Sequence, residues 1–229
     1  MLYLIYGLLT YLKKKWYRVD LFYGRKSMSE KDYDKLLHIQ TCGDQKGFPD
    51  SSHYHRYEPT PYAALEKLFA EYELKRSDRI VDFGCGKGRL NFFIHYLFEA
   101  TVVGIEMNET FYQEAVDNRE GYLKKYRNRN KSIYFQCCKA EEYKIDLLDN
   151  RFYFFNPFSI QIFMKIIQRI LHSAEQYKRE IELVLYYPSN DYIYFLENQT
   201  NFMLVKEVGL SDLFKNQPNE RFLIYQLDF

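Results

Sequence analysis

The chain has 229 residues, enough for one α/β domain of about 150–200 residues with an extension. Lysine and arginine number 32 against 31 aspartates and glutamates, so no global field draws in nucleic acid or an anionic surface. Its cysteines, Cys42, Cys85, Cys137 and Cys138, form no C-x-x-C pair, which sets aside a structural zinc or a disulfide scaffold and suits a reducing, cytoplasmic setting.

Met1–Leu12 (MLYLIYGLLTYL) is apolar but covers only about half of the ~20 residues a membrane-spanning helix needs. Lys13, Lys14 and Lys15 follow it, whereas a secretory signal carries its charges first. The run reads as a helix packed on the domain or on a second copy of the chain, with a short interfacial anchor as the alternative. Residues 1–52 are therefore expected as an N-terminal helical extension, a surface for a homodimer. Within it a helix opens at Ser29, with a Ser-x-x-Asp cap and an inward stripe of Tyr33, Leu36, Leu37 and Ile39. A Gly-, Asp-, Pro- and Ser-rich loop covers Gly43 to Ser52.

The domain proper is expected over 53–229. His53-x-His55 is the nearest approach to metal spacing, and in a polar loop it gives no reason to expect a metal. Pro61 leads into a helix from Ala63 to Tyr72. Arg79–Phe83 reads as a buried strand, Arg89–Phe98 as a helix and Thr101–Glu106 as a second strand. The basic run Lys124–Lys131 offers a phosphate contact, though a solvated helix end explains it more simply. Strands follow at Ser132–Cys138, Arg151–Phe155 and Ile181–Tyr187, with helices at Ile160–Gln176 and Asp191–Asn198. Phe202–Val208 and Arg221–Leu227 read as two closing strands without a long helix between them. This alternation describes a doubly wound, Rossmann-like sheet of seven strands, with helices on both faces and a late antiparallel strand.

The turn between the first strand and its helix carries the chemistry. Asp82-Phe83-Gly84-Cys85-Gly86-Lys87-Gly88 places glycines at alternate positions, where a backbone can pass closely under a nucleoside and aim helix N–H groups at it. The dinucleotide fingerprint needs a third glycine at position 89, where Arg89 stands. A phosphate-binding P-loop needs Gly-Lys-Ser/Thr, which Lys87-Gly88-Arg89 does not supply. Glu106 ends the second strand, where an acid in such folds accepts both ribose hydroxyls. Arg151–Phe155 runs into Asn156-Pro157-Phe158.

D-x-G-x-G-x-G, the strand-end Glu106 and the Asn-Pro-Phe turn together resemble class I S-adenosylmethionine methyltransferases. The likeness extends to a group of small methyltransferases from low-GC Gram-positive bacteria, which brings no substrate with it. It implies S-adenosylmethionine as methyl donor, S-adenosylhomocysteine as product, and an unidentified acceptor. It sets Gly84, Cys85, Gly86, Gly88 and Arg89 against the methionine part, with Asp82 on the ammonium group. Tyr57 and Thr60 become candidates for the cofactor carboxylate, and His53, Tyr54 and His55 for the substrate side. Glu106 takes the ribose and Met107 the adenine face, with Asn108 beside them among the cofactor residues; at Ala140-Glu141 either Glu141 reaches the adenine or main-chain groups read it. Here the family often has Asp-Ala where this chain has Lys139-Ala140. Asn156, Pro157 and Phe158 resemble a [D/N]-P-P-[Y/F/W] motif lacking one proline. That motif implies an acceptor nitrogen held by Asn156 and the Pro157 carbonyl, with Phe158 stacked on it. A non-catalytic S-adenosylmethionine sensor is the alternative reading.

Overall fold

A computed structural model describes residues 28–43, 58–129, 132–214 and 217–228. The apolar run Met1–Leu12, Lys13–Lys15, His53, Tyr54, His55 and Tyr57 lie outside the described residues. In chain order the elements are α1 (Glu30–Leu37), α2 (Tyr62–Glu71), β1 (Arg79–Phe83), α3 (Arg89–Phe98), β2 (Thr101–Glu106) and α4 (Glu109–Lys125). There follow β3 (Ile133–Cys137), a 3-10 turn (Ala140–Glu142), β4 (Arg151–Phe154), α5 (Ile160–Gln176), β5 (Glu182–Tyr186), α6 (Asn190–Gln199), β6 (Phe202–Gly209) and β7 (Arg221–Leu227).

The strands form one seven-stranded sheet in the order β3-β2-β1-β4-β5-β7-β6. β7 runs antiparallel to both β5 and β6, while the pairs from β3 through β5 are parallel. Strand order reverses between β1 and β4, so the carboxyl ends of these two strands open a crevice, the usual place for a ligand in such sheets.

Alternate side chains of each strand feed two cores. Ile80, Val102, Tyr153, Val184 and Tyr186 pack with α1, α2 and α3, whereas Val81, Val103, Phe152, Phe154 and Leu185 pack with α5 and α6. Every residue of α3 is buried, including Arg89, Asn91 and His95, because α3 lies between the sheet and the elements outside it. Such a helix reads as apolar nearly all round, which is why its bounds stand out in the sequence.

α1 starts as its spacing predicts: Ser29 and Asp32 form a reciprocal capping box. Tyr33, Leu37 and Ile39 are buried in the same core as Leu65 and Phe93, so the part of the extension described here packs as domain core. Leu36 is only partly buried. α4 carries few apolar residues, with Phe111, Ala115 and Tyr122 buried, and the sequence reading left its span undivided. The basic run largely closes helix ends. Arg129 donates to the carbonyls of His95 (3.2 Å) and Tyr96 (2.6 Å), and Lys125 to that of Leu36 (2.9 Å). Among the described residues, no helix is long and apolar enough to cross a membrane.

Candidate active site

The glycine turn leaves β1 with Gly84, Gly86 and Gly88 all at positive φ (80°, 53° and 84°). Gly84 and Cys85 donate their N–H groups to the Ile105 carbonyl (2.9 and 3.1 Å), which ties the turn to β2. Gly88 is the N-cap of α3. A Cβ there would stand 2.8 Å from Phe135 and 2.9 Å from Phe92, so sterics as well as φ reserve the position for glycine. At Gly84 a Cβ would meet Pro157 at 3.1 Å. The glycine turn and the Asn-Pro-Phe turn are therefore in contact across the β1–β4 crevice.

Glu106 closes the turn from the β2 side. Its Oε2 accepts from the Gly86 N–H at 2.9 Å and its Oε1 from the Asn108 N–H at 2.8 Å. Burial pushes its pKa up, while the Asn108, Gly86 and Met107 N–H groups pull the other way. These N–H groups fix the carboxylate beside the turn, with acceptor capacity to spare. Met107, next in sequence, is 41% exposed, an unbranched apolar side chain of the kind that packs against a base. Asn108 caps α4 through its Oδ1, accepting from Thr110 and Phe111, so its side chain is committed to the helix. The remaining adenine-end residues, Ala140 and Glu141, sit in the 3-10 turn after β3; Ala140 is buried and Glu141 partly exposed.

Asp82 lies deep beneath the turn, 4% exposed. Burial, and then the Glu106 charge, push its pKa up to about 8. Tyr153 lies opposite it on β4, and the Tyr153 hydroxyl is 2.7 Å from the Thr60 Oγ1. Thr60 is thus tied to β4 one residue pair from Asp82. Arg89 departs from its expected part. Its guanidinium turns from the crevice to Thr41, Glu30 and the Thr60 carbonyl, so only its N–H, unpaired within the helix as a first-turn donor, faces the turn.

Asn156 carries φ 39°, and Tyr187, at the end of the adjacent β5, φ 50°. Each precedes a proline, and strain of this type collects at working sites. Phe158 is where the sequence reading is corrected. Its ring is 3% exposed in the core under α5, and its carbonyl accepts from the Tyr192 hydroxyl at 2.6 Å. It braces the turn from below and leaves no ring face for an acceptor. The partly exposed rings at this end are Phe155 and Tyr187, on the opposite face of the sheet.

Sequence reasoning also missed Asp34, Thr41, Tyr62, Asn118 and Tyr153, all buried around this site. Their signal was weak: Asp34, Tyr62 and Asn118 are single polar-tipped residues on helices, which usually face water, while Thr41 lies in a connection and Tyr153 in an apolar strand run.

Residues 60–153 match a family model described as a methyltransferase domain, a span that runs from Thr60 through the glycine turn and Glu106 to Tyr153. Over that span the chain is similar to methyltransferase domains. Its fold is that of the class I S-adenosylmethionine-dependent methyltransferases. A Salinibacter ruber RNA methyltransferase solved with S-adenosyl-L-homocysteine aligns with a TM-score of 0.51 at 17% identity, over 74% of this chain and 92% of its own. A Pyrococcus abyssi tRNA (uracil-54, C5)-methyltransferase, also solved with S-adenosyl-L-homocysteine, aligns at 0.51 and 18% identity, over 75% of this chain and 40% of its own. No curated protein matches the sequence. Within this fold the crevice lies at the strand-order reversal, with Asp82 and Glu106 on one wall and Asn156 and Pro157 on the other.

Proposed function

We propose that this methyltransferase moves the methyl group of S-adenosylmethionine to a nitrogen of an acceptor presented at the end of β4. The observation that carries the reading is the Glu106 carboxylate, fixed by Gly86 and Asn108 N–H groups beside three left-handed glycines and in the same crevice as Asn156. The residues suit the cofactor. Gly84, Gly86 and Gly88 hold the left-handed backbone of the turn, packed so closely on Pro157, Phe135 and Phe92 that Gly84 and Gly88 admit no Cβ, and no described donor reaches the buried Asp82 carboxyl, which an ammonium group would pair. Glu106 would hold the ribose diol and Met107 the base.

S-adenosylmethionine, when bound, supplies an electrophilic sulfonium methyl, so the chain's own work is placement and exclusion of water. Asn156 and the Pro157 carbonyl would accept the N–H bonds of the acceptor and aim its lone pair. Pro157 packs on Gly84, which keeps that placement in register with the cofactor turn. Phe158 supports the turn from the core, leaving Phe155 and Tyr187 as the ring surfaces for a planar acceptor. RNA is the first acceptor class to test, since both structures cited above are described as RNA methyltransferases.

Titration with S-adenosylhomocysteine by calorimetry, followed by labelled donor on RNA, protein and metabolite fractions, tests the reading. Binding should be micromolar and lost in Glu106→Ala. Asn156→Ala should keep the affinity within about threefold and lose turnover on any fraction the wild type labels. Well-folded protein that binds no S-adenosylhomocysteine would overturn the proposal.

A further inference from the structure

Two buried side chains next to the glycine turn reach back to the segment that precedes the domain. Arg89 opens α3. Its Nε donates to the Thr41 Oγ1 (2.8 Å), its Nη1 to the Glu30 carboxylate and the Thr60 carbonyl (3.3 Å), and its guanidinium lies 4.6 Å over the Tyr62 ring. Thr41 passes the chain of bonds on, donating its hydroxyl to Asp34 at 2.7 Å. Asp34 also accepts from the N–H groups of Thr41 (2.6 Å) and Cys42 (3.0 Å) and from the Tyr62 hydroxyl (2.9 Å).

On the other side stands Asn118 of α4. Its Oδ1 accepts from the Gln40 N–H (2.8 Å), and its Nδ2 donates to the Gln40 carbonyl (3.2 Å) and the Lys87 carbonyl (3.1 Å). Lys87 lies between Gly86 and Gly88, so this one amide joins the end of the N-terminal segment to the middle of the cofactor turn. Close packing makes the reach feasible: a Cβ on Gly121, one turn along α4, would stand 2.9 Å from the His38 carbonyl oxygen.

A turn of alternate left-handed glycines has the least conformational restraint of any backbone, and glycine loses the most freedom on ordering. Its peptide groups must be fixed from outside. Glu106 fixes the Gly86 N–H, the Cys85 carbonyl fixes the Gly88 N–H, and Asn118 fixes the Lys87 carbonyl. We infer that Asn118 and Arg89 are positioning residues which, with residues 30–42 docked between them, hold the glycine turn in its cofactor-receiving form, so that the N-terminal segment sets cofactor affinity. The inference rests on the S-adenosylmethionine reading above. It moves the start of the domain from residue 53 to Glu30 or earlier.

The test measures S-adenosylhomocysteine affinity, thermal midpoint and amide exchange at Gly86, Lys87 and Gly88, below the melting range of every variant. Asn118→Asp keeps an acceptor for Gln40 but cannot donate to Lys87, and Thr41→Val keeps shape but breaks the Arg89–Asp34 link. Both should weaken S-adenosylhomocysteine about tenfold or more while folded, through lost preorganisation, and both should speed exchange at the turn. Thr41→Ser, which restores the hydroxyl, should recover both readouts. Folded variants with wild-type affinity and exchange would overturn the inference. If the wild type itself bound no S-adenosylhomocysteine, the functional reading would fall, and exchange at the turn would still decide the positioning role.

Discussion

Asp82 holds its carboxyl out of water at the end of β1, and burial followed by the nearby Glu106 charge brings its pKa from an ordinary 3.8 up to about 8. Between those values the folded chain keeps a proton that the unfolded chain has lost. The stability this group contributes is therefore full below about pH 4 and falls as pH rises toward 8. Asp82→Asn should flatten the pH dependence of the thermal midpoint over that window; an undiminished slope would show that other groups carry it. A bound ammonium group has the opposite preference, because it needs the carboxylate. S-adenosylhomocysteine affinity should thus climb by up to about tenfold per pH unit below pH 8 and then level off, with proton release visible in buffers of different ionisation enthalpy. The residues behind this behaviour were legible because glycine spacing and a strand-end acid are local patterns. Asp34, Thr41 and Asn118 were not, since their burial depends on α1, α3 and α4 meeting, and no short stretch of sequence records that.

Elements with a strong period announced themselves. The bounds of α3, β2, α5 and β7 coincide with those read from the chain, as each is a near-continuous or one-sided apolar run bordered by turn residues. α4 escaped division because its buried positions are few and Asn118 is one of them. Its glycine makes a test at this scale. Replacing a mid-helix glycine by alanine ordinarily stabilises by about 1 kcal/mol. Gly121→Ala should do the reverse, since its Cβ would sit 2.9 Å from a backbone carbonyl that cannot swing aside. A raised melting temperature would mean that the 38–40 segment yields easily and that the close approach is incidental.

Across the whole molecule the two edges of the sheet divide the work. The carboxyl edge carries the crevice, while the amino edge is fastened by Arg151, which pairs with Glu182 (3.0 Å), Asp78 (3.8 Å) and Glu180. Asp78 is 3% exposed, so removing Arg151 leaves a buried charge without its cation, held only by the Lys75 N–H and the Asn150 amide. Arg151→Ala should cost about 3–5 kcal/mol of stability. Protein that remains folded should bind S-adenosylhomocysteine as the wild type does, and weakened binding in it would contradict this division. Seven strands and a late antiparallel one could be read from the chain. That β7 inserts between β5 and β6 could not, because a strand's run of side chains does not name its neighbours. This placement bears on how the molecule is made. On a ribosome β5 and β6 emerge before the strand that joins them. Until Arg221–Leu227 has cleared the exit tunnel, the apolar edge of β5 stays open to wrong partners. Closure of the sheet therefore waits on β7, which emerges after both of the strands it joins.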